Sequence, residues 1–372
     1  MHEANRFGVV RVHSLIGDSP LLDLYEELSK RGELSMRFYI CNFIAPPKLT
    51  KKALEQAEED RRRYQDEWID AGCIKFMGDG VIETHTAAML KPYSDDPSIS
   101  GHLNWEYGEF LNAVMEPDRH GFQITTHAIG DHMIREALDA YQHAATVNGT
   151  VDPRHRIEHT EDPSAADIPR FGELGVIASM QPLPALPNDN NLNVWARNVG
   201  PERAVRSWPW HSIMNDGGRV AFGSDWSVVT INPWPGIQLL LTRQTEEGEP
   251  AGGWNPEQRL TLEQAIKGYT LDAAYAGRRE MTEGGASVPV STLHPEESRI
   301  HLASRSTAIM LEVLPYKKSL ACVWKSAWVD LSVIKIERPL ISTAATPLKV
   351  SGTSNRTTMY RFVARLLAGS HI

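Results

Sequence analysis

The stretch that decides the fold runs from residue 123 to 159, QITTHAIGDHMIREALDAYQHAATVNGTVDPRHRIEH. It opens with a short β-prone apolar run, Gln123–Thr126, ending in His127. A helical pattern follows from about Gly130, with apolar residues at three- and four-residue spacing. Glycine and proline break that pattern, and a second β-prone run, Arg156–Glu158, again ends in a histidine. Strand, helix and strand with short connections make a right-handed βαβ unit and two parallel strands.

The same alternation extends in both directions. Strand patterns fall at Val9–Val12, Met36–Ile40, Ile74–Phe76, Val176–Ser179 and Val220–Phe222. Between them, Ser19-Pro20 opens a helix that stops at Gly32, and Thr50 opens a charged helix expected to run through Ile69. Further helices are expected near Ser164, Pro201 and Thr261. Seven strands are one short of a (β/α)₈ barrel. A doubly wound open sheet would call for a glycine-rich phosphate loop after the first strand, and none is present. The reading is an α/β, TIM-like barrel with its first strand missing, which predicts an open seam.

Composition narrows the function. The chain has 372 residues, 41% hydrophobic and 23% charged, which suits a folded domain with a large core. No apolar run approaches the ~20 residues of a membrane helix. The net charge of −9 argues against nucleic acid as a partner. The start, MHEANRFGVV, lacks the pattern of a secretory signal. Three scattered cysteines make neither a disulfide framework nor a zinc knuckle, so a cytoplasmic, reducing setting is expected. Charge is unevenly distributed. Residues 1–298 carry 27 Lys and Arg against 44 Asp and Glu, a net of −17; residues 299–372 carry 11 against 3, a net of +8. Accordingly 1–284 is read as a partial barrel, and 285–372 as an atypical basic segment that packs poorly.

In such barrels the C-terminal ends of the strands carry the chemistry. Here those ends hold Lys75, His127, His159 and, after Phe222-Gly223-Ser224, Asp225. Each has a plain structural reading alone: a bonded histidine, a snorkelling lysine, a helix cap. Together, imidazole and carboxylate suit zinc or a similar divalent ion. One pattern competes. His155-Arg156-Ile157-Glu158-His159 matches the H-x-x-E-H of zinc proteases, which requires a helix. Pro153 and Pro163 flank it too closely for one.

Five segments carry a family resemblance: IKFMGDGVIETHTAAMLKPYSD (74–95), TTHAIGDHMIREALDAY (125–141), RIEHTEDPSAADIPRFGELGVIASMQP (156–182), FGSDWSVVTINPWPGI (222–237) and LTLEQAIKGYTLDAAYA (260–276). In this order they resemble the amidohydrolase superfamily, in the branch of amidohydrolase family 3 that includes N-substituted formamide deformylase-like enzymes. The resemblance implies a distorted barrel beside a small β-sandwich built from both chain ends. It also implies metal-dependent hydrolysis of non-peptide C–N bonds in small amide-type substrates. By position, His127 and His159 would ligate metal, and Asp225 would be both ligand and general base. Lys75 would be the fourth-strand residue, which related members can carry in carboxylated form to bridge two ions. Asp131 and Glu158 would fix the imidazoles, and Gln181 and Trp226 would line the substrate pocket. The family's His-x-His pair on the first barrel strand has no counterpart: no two of the fourteen histidines are separated by a single residue. The usual C-terminal sandwich segment is missing as well. One of the one or two zinc positions is therefore expected to be compromised, and the alternative to an active hydrolase is a catalytically impaired or truncated chain.

Overall fold

The computed structural model describes residues 1–283 and the backbone of two short strands, Met310–Val313 and Leu320–Val323. Seven strands form one sheet: β1 (Arg11–Gly17), β2 (Arg37–Ile44), β3 (Ile69–Met77), β4 (Gln123–Ala128), β5 (Arg156–His159), β6 (Ile177–Met180) and β7 (Arg219–Phe222). They lie side by side in chain order, every neighbouring pair parallel. All seven expected strands are present. Among the described residues, no strand pairs with the outer edges of β1 and β7, so the sheet curls into a barrel with an open seam.

Two contacts reach across that seam. Beyond β7, Ile231 packs against the buried cluster of Leu22, Phe38 and Ile40, against which Val9 and Val12 also pack. At the other end, Glu283 pairs with Arg11 and lies 3.7 Å from Arg37. The two remaining described strands, β8 (Met310–Val313) and β9 (Leu320–Val323), form an antiparallel pair. The basic block, the proposed boundary at residue 284 and the sandwich implied for the chain end otherwise lie outside the described residues.

The helices are α1 (His2–Arg6), α2 (Ser19–Lys30), α3 (Lys51–Arg63), α4 (Tyr107–Arg119), α5 (Asp131–Asn148), α6 (Ile168–Leu174), α7 (Ala196–Val199), α8 (Pro201–Ala204), α9 (Trp210–Asn215), α10 (Pro233–Thr242), α11 (Leu262–Tyr269) and α12 (Leu271–Ala276). Their apolar faces cover the outward residues of the strands. Ile74, Phe76, Ile124, Ile157 and Val220 join Phe110, Ile134, Leu138 and Phe171 in the main core. Each such side chain contributes roughly 1.5–3 kcal/mol by leaving water. Trp208 and Trp210 belong to this core and are buried. No helix among the described residues is long and apolar enough to cross a membrane.

Three local expectations are corrected. Helix α3 ends at Arg63 rather than Ile69, because Ile69 pairs with Phe38 and starts β3. The cap of α2 is Asp18, whose side chain accepts from the Leu21 amide, while Ser19 Oγ turns to Asp60. Cys41 and Cys73 are joined by a disulfide. Thirty-two residues separate them in sequence, but they are register partners on adjacent strands, with Cα atoms 4.4 Å apart. Cysteine spacing alone gave no view of that register.

Candidate active site

Strand pairing sets the site. Lys75 of β3 pairs with Thr125 of β4, and His127 of β4 pairs with Glu158 of β5, so these side chains share the inner face. At the end of β5 the alternation breaks. His159 has φ 75° and Thr160 φ 50°, both in the left-handed region that β-strand residues avoid. With that turn the His159 ring meets the His127 ring edge to face, centroids 4.4 Å apart. Asp225, just past β7, also has positive φ, 55°. Strained backbone of this kind is held only where the surroundings enforce it.

Burial keeps both imidazoles neutral. The His127 pKa is pushed well below the usual histidine value by burial, then by His159 and Lys75. That of His159 is lowered by burial and by Lys75, with Asp225, Glu158 and a hydrogen bond to Gln181 opposing. His127 Nε2 lies 3.1 Å from the Gly80 carbonyl, so that nitrogen carries the hydrogen and Nδ1 keeps its lone pair. Lys75 is 2% exposed, and burial brings its amine down to about 8 against the pull of Glu158.

Glu158 supports this arrangement from below. It accepts from Thr125 Oγ1 at 2.5 Å and from Arg156 Nη2 at 2.7 Å. Burial would raise its carboxyl, but Arg156, Lys75 and hydrogen bonds from Thr125 and Ser179 outweigh it and hold the group at about 2. Asp131 does not reach an imidazole: its Oδ1 accepts from the Leu90 amide at 2.8 Å. Gln181 is buried beside His159, whereas Trp226 is 64% exposed. Asp225 is also exposed; its charge acts on Lys75 and His159.

Sequence reasoning missed Asp79. It is 1% exposed, lies 3.7 Å from His127 Nε2, and accepts three backbone amides. Burial pushes its carboxyl up to about 7. The signal was present in Gly78-Asp79-Gly80 directly after β3, an acid between two glycines where the backbone comes close.

The H-x-x-E-H reading fails on geometry. The segment is a strand, and His155 is bound elsewhere, 3.0 Å from Asp118 and accepting the Ile124 amide at 3.1 Å. As a metal site, the donors suit a divalent ion chemically: two neutral imidazoles beside a buried amine of lowered pKa. Two imidazoles are one short of the three protein ligands usual for zinc. Among the described residues no group of three or more His, Cys, Asp or Glu side chains is placed to hold an ion.

A curled sheet of seven parallel strands with helices between them places the chain among the TIM-like α/β barrel proteins. The amidohydrolase family model matches residues 1–287, and the chain belongs to that family. It is 32% identical over 254 residues to Protein LONG AFTER FAR-RED 3 of Arabidopsis thaliana, covering 68% of this chain and 42% of that protein. It is 27% identical over 176 residues to the N-substituted formamide deformylase of Arthrobacter pascens, covering 47% and 31%. The chain thus matches less than half the length of either relative. In fold it resembles an uncharacterized metal-dependent hydrolase from Pyrococcus furiosus, with TM-score 0.61 and 24% identity over 76% of this chain and 55% of the other.

Proposed function

We propose that this chain carries the strand-end part of a metal-dependent hydrolase site acting on non-peptide C–N bonds of small amides. The observation that carries the reading is the His127–His159 ring pair beside the buried, low-pKa Lys75. His127 and His159 would hold a divalent ion, zinc by preference for imidazole. Lys75, neutral in part near pH 8, can add through its amine nitrogen to carbon dioxide, releasing a proton and leaving a carboxylated side chain as third donor. A bound ion supplies a water of pKa near 7 and polarises a carbonyl.

The remaining groups bind and move protons. Asp225, at the open mouth, takes a proton from water and returns it to the departing amine. Gln181 steadies His159, and Trp226 offers an apolar face to the substrate's N-substituent. Glu158 keeps Lys75 in place, and Asp131 secures the loop at Leu90.

One specific observation favours an impaired variant of this reading. No third His, Cys, Asp or Glu ligand is grouped with the pair among the described residues, and the sequence has no His-x-His. The expected activity of the 372-residue chain is therefore low. The test is to supply zinc or manganese and assay N-substituted formamides beside Asp225→Asn. Weak turnover that disappears in the variant supports the reading. Turnover indifferent to Asp225 refutes its role as base, and cleavage of peptides in place of formamides refutes the substrate class.

A further inference from the structure

The Asp79 carboxylate is the point where two loops around the site are tied together. Its Oδ1 accepts the Ile129 amide at 3.1 Å; its Oδ2 accepts the Gly130 amide at 2.9 Å and the Ala88 amide at 3.0 Å. Ile129 and Gly130 form the turn directly after His127, and Ala88 belongs to the loop after β3. A buried side chain that accepts three amides is firmly held, because each of those amides would otherwise be buried without an acceptor.

The flanking glycines make this approach possible. A Cβ at Gly78 would stand 2.7 Å from the His127 carbonyl oxygen, and one at Gly80 would stand 2.1 Å from Thr86 Oγ1. Neither space admits a side chain. With Asp79 anchored, the next residue presents its carbonyl to His127 Nε2 at 3.1 Å, and Asp79 Oδ1 faces the same nitrogen at 3.7 Å. The Gly80 carbonyl within hydrogen-bond reach, with an Asp79 oxygen on the same side of the ring, favours a hydrogen on Nε2, which leaves the Nδ1 lone pair for a ligand.

We propose that Asp79 is a positioning residue that fixes the orientation and tautomer of His127, so that the ring presents Nδ1. The inference rests on reading His127 as a ligand but is tested without activity. Asparagine keeps the shape of Asp79 yet turns an NH₂ toward at least one amide donor, so Asp79→Asn loses a bond and loosens both loops.

The experiment uses the full chain labelled with ¹⁵N-histidine, free of metal, with His127→Gln to identify the His127 signals. Two-bond ¹H–¹⁵N spectra of the wild type should show His127 protonated on Nε2 alone. In Asp79→Asn the two tautomers should mix, and zinc affinity should fall by about 10–100-fold, as for other groups that orient metal-binding histidines. A wild-type His127 protonated on Nδ1 would overturn the proposal whether or not the variant folds. So would a folded Asp79→Asn protein with an unchanged tautomer. If His127→Gln binds zinc as the wild type does, the ligand reading fails, while the tautomer comparison still decides the role of Asp79.

Discussion

Lys75 shows why a residue can be legible in identity and illegible in state. The sequence exposes a lysine inside an apolar strand, and snorkelling was the ordinary explanation. The structure buries it where its charge acts on Glu158 and on both histidines, and burial lowers its amine to about 8. Lys75→Met should leave the fold intact, because Glu158 keeps Arg156 and Thr125 as partners. It should abolish any gain in zinc affinity on adding bicarbonate, which the wild type should display in a titration. An equal gain in both proteins would remove Lys75 from the site. Asp79 was hidden for a different reason. Its partners are backbone amides 9, 50 and 51 residues away, and no side-chain spacing encodes them.

Elements were read more completely than residues, because hydrophobic period is local information and loop closure is not. The seven strands were visible as short β-prone runs, and the helix expected near Thr261 begins there, where the structure adds a capping box between Thr261 and Gln264. What failed were boundaries fixed by partners: α3 stops where Ile69 is drawn into pairing with Phe38, and Cys41 meets Cys73 only through the β2–β3 register. The turn at His159 also lay beyond periodicity, since strict alternation puts His155, Ile157 and His159 on one side. At this scale Gly78 is the sensitive joint between β3 and β4. Gly78→Ala would press a methyl group against Met133 and the His127 carbonyl. The expected cost is roughly 1–3 kcal/mol of overpacking, read in urea melts, together with weaker zinc binding. A variant as stable as the wild type would show that this joint has room.

For the whole molecule, pH acts on buried groups of opposite kinds. Burial raises the carboxyls of Asp79 to about 7, of Glu161 to about 8 with Glu83 adding to it, and of Asp162 to about 7 against Arg206. A raised folded value means stability that is present at low pH and lost as pH rises through it. His13, His127, His155 and His159 are lowered, chiefly by burial, so their contribution is present above about 6.5 and lost as pH falls. The melting temperature should therefore peak near pH 6.5 and decline toward pH 8; a steady rise across that window would contradict this balance. The open seam between β1 and β7 follows from the strand count read in the sequence, whereas the bridging contacts of Ile231 and Glu283 depend on tertiary folding. The central claim is that the two strand-end histidines of this family member form the metal-holding part of a hydrolase site. Its most direct test is the zinc content of the refolded chain and of His159→Ala after equilibrium dialysis, with circular dichroism confirming the same fold in both. One weakly held ion per wild-type chain and none in the variant are expected; equal zinc in both proteins, or none in either, would mean that the histidine pair does not hold the metal.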